Sequence, residues 1–166
     1  KNSKNPTMIF FDGLDITKEL QYARGVSELI KRGFSCLVMD GPGTGEAIRF
    51  RGMFLRPDYE VAGSACVDYL EMREDVDENR IGIIAVSLGG YYAPRCASME
   101  PRLKACIAWG AIWDYQKTWQ KRIEAKFNES MSVPGHHICW ILGVDNMNEV
   151  LEKLSDYKLE GVVQNM

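Results

Sequence analysis

Ile81-Gly-Ile-Ile-Ala-Val-Ser87-Leu-Gly-Gly90 decides the reading of this chain. Ile81, Ile83, Ile84 and Val86 are β-branched and close together, which predicts a short buried strand. The run stops at a serine followed by two glycines, and Tyr91 to Met99 then reads as a helix with Pro94 near its first turns. A strand, a sharp turn and a helix with a serine at the turn is the layout that exposes a hydroxyl beside backbone N–H groups. The position two residues before the serine is Ala85 where the commoner motif has glycine, and alanine is still small enough for a tight turn. The competing reading is a buried serine at an ordinary strand end.

Outward from this stretch the pattern alternates. Thr7 to Phe11 and Phe34 to Met39 read as strands upstream of it, and Leu103 to Trp109 as a fourth strand downstream. Between them, Thr17 to Arg32 reads as a helix with Leu20, Ala23, Val26, Leu29 and Ile30 on one buried face, ended by Gly33. Pro57 to Glu74 reads as a helix burying Val61, Ala65, Tyr69 and Met72. Strands alternating with helices at this spacing predict βαβ crossovers and an α/β fold with a parallel sheet of about four strands and flanking helices. Asp12, Asp40, Ser87 and Gly110 then fall at the carboxyl ends of the strands, where such sheets bind ligands. Residues 1–112 are read as the α/β core.

After Trp109 the character changes. Trp113, Tyr115, Trp119 and Phe127 are interleaved with Lys117, Lys121, Arg122 and Lys126, a helical and amphipathic pattern. Met147 to Asp156 reads as a further helix with Val150, Leu151 and Leu154 on one face. Residues 113–166 fit a helical lid or insertion beside the sheet and fit additional layer helices equally well.

Composition bounds the function classes. The chain has 166 residues, 46% hydrophobic and 26% charged, which suits one globular domain. A formal net charge of −3 gives no electrostatic case for nucleic acid or an anionic membrane as partner. No apolar run reaches the roughly 18 residues of a membrane span. Lys1 to Pro6 is polar, without the apolar core of a signal peptide, and lacks an initiator Met, so the natural start is expected upstream. The five cysteines, Cys36, Cys66, Cys96, Cys106 and Cys139, are widely spaced and odd in number. They read as free thiols of a reducing compartment, hence a cytoplasmic protein.

Two other stretches invite chemistry. Asp40-Gly-Pro-Gly-Thr-Gly-Glu-Ala47 is glycine-rich, but a phosphate loop ending at Gly45 would need lysine and a hydroxyl where Glu46 and Ala47 stand. A carboxylate there would repel phosphate, which speaks against nucleotide binding, and the glycines are read as a tight turn over the sheet. His136 and His137 are the chain's two histidines. They lack the neighbouring ligands of a metal site, and together with Asp145 they are read as structural. Asp77-Glu-Asn-Arg80 reads as a solvated turn with Arg80 neutralising nearby carboxylates. Arg49-Phe-Arg51 and Met53-Phe-Leu-Arg56 could line a substrate entrance or pack on a lid.

In order, Gly13-Leu-Asp-Ile-Thr-Lys-Glu19, Asp40-Gly-Pro-Gly-Thr-Gly-Glu46, Asp77-Glu-Asn-Arg-Ile-Gly82, Ser87-Leu-Gly-Gly90, Glu100-Pro-Arg-Leu-Lys-Ala-Cys-Ile-Ala-Trp-Gly110 and the tail Leu159-Glu-Gly-Val-Val163 form a recognisable set. The chain resembles the α/β-hydrolases typified by 2,6-dihydroxypseudooxynicotine hydrolase, a group that includes fungal polyketide-shortening hydrolases and FrsA-like esterases. The resemblance spans nearly the whole chain. It implies a serine nucleophile at Ser87 and an oxyanion hole made by the N–H groups of Leu14 (or Gly13) and Leu88. It implies hydrolysis of a small-molecule ketone at a carbon–carbon bond, or of an ester, with no metal or organic cofactor. The triad aspartate and histidine of this group come after the lid, so they are expected outside these residues, and the chain reads as the central piece of a longer enzyme. A homodimer is left open. The alternatives are a general carboxylesterase or acyl-aminoacyl peptidase, and a truncated hydrolase without catalysis of its own.

Overall fold

A computed structural model describes residues 4–125 and 135–166. Four parallel strands, β1 (Asn5–Phe11), β2 (Ser35–Met39), β3 (Val76–Val86) and β4 (Ala105–Trp109), form one sheet in the order β2-β1-β3-β4. The register pairs Phe11 with Met39 and with Ala85, and Val86 with Trp109. All four strands therefore end at one level, and Asp12, Asp40, Ser87 and Gly110 follow directly on their carboxyl ends. The α/β architecture expected from the alternating pattern is what forms.

Alternate strand residues feed two cores, because successive side chains point to opposite faces. Ile9, Phe11, Ile83 and Ala85 face α4 (Glu60–Glu71) and α5 (Gly89–Met99). In that layer the Tyr59 and Tyr92 rings stack at 3.6 Å with planes 3° apart, and Phe11 meets Tyr59 edge-on at 5.2 Å. Met8, Phe10 and Ile84 face the other way, onto Val26 and Leu29. The α6 (Tyr115–Glu124), α7 (Gly135–Leu142) and α8 (Met147–Lys153) helices join the first core through Tyr115, Trp119, Ile138, Ile141 and Val150, so they share one buried cluster with the sheet. Val150 and Leu154 are buried as their spacing predicts. Lys126 and Phe127 lie outside the described residues. Among the described residues no helix is long and apolar enough to cross a membrane.

Several expectations are corrected. The helix over residues 17–32 is not continuous: α1 (Lys18–Gln21) and α2 (Ser27–Lys31) flank a π turn (Tyr22–Val26) in which Gly25 takes φ 151°. The widened turn shifts the helical phase, so Leu20 and Ile30 are exposed, Ala23 is exposed, and Gln21 is buried. The face of α4 is opposite to the one expected. Gly63, Cys66, Val67 and Leu70 are buried, while Val61, Ala65, Tyr69 and Met72 face solvent. The reason is the close approach of α4 and α5: a side chain at Gly63 would come within 2.7 Å of the Cys96 sulfur. The glycine sets the contact face yet adds nothing to an apolar stripe. Asp77 to Arg80 lie within β3 and not in a turn, although Arg80 does pair with Asp77 at 2.6 Å. The Asp40 loop is shorter than expected, since α3 (Gly45–Arg51) begins inside it. Asp40 accepts the Glu46 and Lys18 N–H groups and pairs with the Lys18 ammonium at 2.9 Å.

Arg102 ties α4 to the turn before β4. Its guanidinium takes Glu100 in a two-point grip at 2.8 and 2.6 Å and also reaches Asp68 and Glu71, each at 2.8 Å. The Arg102 hydrogen bonds hold the Glu100 carboxyl down to about 2, against the opposing effect of burial. A carboxyl lowered in the folded state stabilises the fold above its unfolded value near 4.5, and loses that contribution as the pH falls towards 2. Glu100→Gln is therefore expected to cost about 2 kcal/mol at pH 7, a figure reduced for the half-exposed Arg102, and to cost little at pH 2. Urea denaturation of both proteins across this range checks it.

Candidate active site

The elbow at Ser87 is built from backbone. Ser87 follows β3, adopts φ 59°, and is the non-glycine residue with positive φ among the described residues. For a residue with a side chain this left-handed conformation costs roughly 1–3 kcal/mol and persists only where its surroundings impose it. The surroundings are on hand. The Ser87 N–H donates to the Trp109 carbonyl at 2.9 Å, which extends the β3–β4 ladder by one bond. The Gly90 N–H donates back to the Ser87 carbonyl at 2.8 Å, starting α5 at once. Pro94 has no N–H to give the Gly90 carbonyl, and that carbonyl instead accepts the Ile112 N–H at 3.3 Å. The chain leaving β4 is thereby tied to the first turn of α5. The Ser87 residue itself is exposed while Leu88 is buried.

The loop after β1 closes on the same point. Gly13 lies so near the elbow that a Cβ there would sit 2.8 Å from the Ser87 Cβ, 2.8 Å from the Val86 carbonyl and 3.2 Å from the Leu88 nitrogen. The Gly13 N–H donates to Asp12 Oδ1 at 2.7 Å. Asp12 is buried, its Oδ2 has no hydrogen-bond partner among the described residues, and Arg24 lies 3.6 Å from Oδ1. Burial pushes its carboxyl above the ordinary value, outweighing the Gly13 N–H and Arg24. The Gln21 amide, oriented to donate to the Phe10 carbonyl at 2.8 Å and accept the Asp12 N–H at 3.0 Å, fixes the loop's start. Its burial follows from the π turn, which no apolar periodicity signals.

Among the described residues, the Leu14 and Leu88 N–H groups donate to no acceptor, although both residues are buried. The Ser87 hydroxyl likewise has no partner among them. A cleft of about 70 Å³ opens beside Ser87, walled by Leu14, Asp15, Leu88, Ile112, Tyr115 and Arg122. A larger recess of about 590 Å³ lies at the opposite end of the strands, around Asn5, Ser35 and Arg73, away from this chemistry. The Arg122 guanidinium lies over the Trp119 ring at 5.1 Å, which holds it on the cleft wall. Arg122 and Tyr115 come from a segment whose pattern announced a helix but not its position.

The remaining sequence candidates are elsewhere or differently engaged. His137 Nε2 meets the Leu14 carbonyl at 3.2 Å and its ring packs edge-on against Trp140, so it touches the site from behind. His136 is exposed. Asp145 is exposed, with its N–H on Glu149. Phe50 and Met53 are exposed, Leu55 is buried, and the Leu55 N–H bonds the Ile141 carbonyl. All five cysteines are free. Among the described residues no group of three histidine, cysteine or carboxylate side chains could hold a metal ion.

A parallel sheet in this strand order, with a left-handed serine turning from the third strand into a helix, defines a class, and the chain belongs to it: the α/β-hydrolases. Within that class the chain is 39% identical to the 2,6-dihydropseudooxynicotine hydrolase of Paenarthrobacter nicotinovorans over 66% of the chain and 29% of that protein. It is 28% identical to the hydrolase acrC of Aspergillus aculeatus over 98% of the chain and 44% of that protein. The crystal structure of 2,6-dihydroxy-pseudo-oxynicotine hydrolase matches 98% of the chain and 43% of its own length, with a TM-score of 0.85 and 30% identity. The chain thus spans less than half the length of the curated relatives it matches. No family model matches it.

The strained elbow makes a separable prediction. Ser87→Gly is expected to raise stability by about 1 kcal/mol, because glycine adopts this φ freely, and to shift Tm up by roughly 2–4 °C. A calorimetric scan showing an unchanged or lower Tm would remove the claim of stored strain.

Proposed function

We propose that Ser87 is the nucleophile of a hydrolase acting on a small-molecule ketone or ester. One observation carries the reading. An exposed serine stands on a left-handed elbow at the start of α5, beside the N–H groups of the buried residues Leu14 and Leu88, which donate to no acceptor among the described residues. The two relatives described above, both hydrolases, agree with it.

In the first step the Ser87 oxygen bonds to the carbonyl carbon and gives up its proton to a base. The carbonyl oxygen becomes an oxyanion, and the Leu14 and Leu88 N–H groups stabilise it; one such donor is worth about 2.7–4 kcal/mol of barrier. The positive end of the α5 dipole adds to this. Collapse of the tetrahedral adduct breaks the bond to the leaving group. For an ester that group departs as an alcohol. For a β-diketone it departs as a carbanion that is protonated to a ketone. Water then attacks the acyl-enzyme, releasing a carboxylic acid and restoring the hydroxyl. The base is a histidine beyond the described residues, oriented by a carboxylate. His137 does not serve in this arrangement: its Nε2 is engaged by the Leu14 carbonyl, and its ring makes no hydrogen bond to the Ser87 hydroxyl. The five free thiols fit a reducing, cytoplasmic setting.

The test uses the full-length enzyme. A fluorophosphonate should label Ser87, and Ser87→Ala should abolish labelling and lower kcat at least about 1,000-fold. An unlabelled wild-type protein contradicts the nucleophile assignment. Turnover of a p-nitrophenyl ester without cleavage of any β-diketone would assign it to the esterases.

A further inference from the structure

The oxyanion loop is pinned on both sides of one peptide. On one side the Gly13 N–H is held by the Asp12 carboxylate at 2.7 Å. On the other the Leu14 carbonyl is held by His137 Nε2 at 3.2 Å, across 123 positions of sequence. Between these two bonds lies the Leu14 N–H, which has no acceptor among the described residues. A backbone donor aimed at developing charge is effective only if its peptide plane is already fixed. Gly13 gives that plane little resistance of its own, because glycine rotates freely about φ and ψ.

The His137 ring is itself held in place. It meets Trp140 edge-on at 5.6 Å, with planes 74° apart. Trp140 carries the Arg49 guanidinium over its ring at 5.4 Å. Arg49 of α3 thus lies on the Trp140 ring of α7 against which the imidazole packs. The hydrogen bond requires a protonated Nε2, a condition that packing alone would not impose.

We infer that His137 is a positioning residue for the oxyanion hole: its Nε2–H bond to the Leu14 carbonyl holds the Leu14–Asp15 peptide and so restrains rotation of the preceding Gly13–Leu14 peptide, whose N–H is aimed at the substrate oxygen beside Ser87. This rests on the nucleophile reading given above. It also assigns the helical segment a part in catalysis in addition to covering the sheet.

The experiment compares H137F, which keeps a ring but no donor, with H137Q, whose amide can still donate, in the full-length enzyme. The readouts are kcat, KM, and the second-order rate of Ser87 phosphonylation by a fluorophosphonate. H137F should lower kcat and the phosphonylation rate roughly 10- to 100-fold, the scale of a small misplacement in an active site, with KM changed less than about threefold. H137Q should recover most of both. Equal loss in H137F and H137Q, loss in KM alone, or rates within twofold of wild type would overturn the assignment. Should H137F not fold, the ¹⁵N spectrum of the wild-type imidazole decides: a protonated Nε2 supports it and a bare Nε2 overturns it. Wild-type protein that never labels would remove the nucleophile reading and this one together. A wild type that labels beside an H137F that labels equally removes this one alone.

Discussion

One backbone constraint organises the molecule: Ser87 held at φ 59° where β3 turns into α5. A side-chain-bearing residue does not stay there unaided. It is kept by the Trp109 carbonyl that takes its N–H, by Gly90 closing the first helical turn, and by Gly13 pressed against its Cβ. Each of these comes from a different strand end, so the elbow depends on β1, β3 and β4 finishing level with one another. The parallel register achieves that, and the two cores on either face of the sheet hold the register. The stability gained in the stacked tyrosine layer under α4 and α5 thereby supports local strain at the one residue that has to be displayed.

How far this was legible in the sequence depends on which forces write a pattern. The strands were readable because β-branched runs such as Ile81 to Val86 have few other uses, and the strand ends located Asp12, Asp40, Ser87 and Gly110 together. Helix faces were less readable. In α4 the contact is set by Gly63 against Cys96, and a glycine is silent in an apolar count. In α1 and α2 the π turn at Gly25 breaks the phase that the periodicity assumed, which exposes Leu20 and Ile30 and buries Gln21.

The site divides in the same way. Ser87, Leu14 and Leu88 could be named from local motifs because the elbow and the glycine turn are local structures, and the fold brings the three to one cleft. His137 and Arg122 could not. The partner of His137 is a backbone carbonyl, which no residue type announces, and Arg122 reaches the cleft only because Tyr115 and Trp119 anchor α6 in the core. Both belong to the segment after β4, whose relation to the sheet is a matter of packing and not of motif.

The central claim is that the Leu14 and Leu88 N–H groups receive the charge that forms when Ser87 attacks. A crystal structure of the full-length enzyme carrying a phosphonate on Ser87 tests it most directly. The account predicts the phosphonyl oxygen within about 2.7–3.1 Å of both nitrogens, with Ser87 still in the left-handed region. An adduct whose oxygen turns away from these two groups, or a phosphonate bound to any other residue, would contradict it.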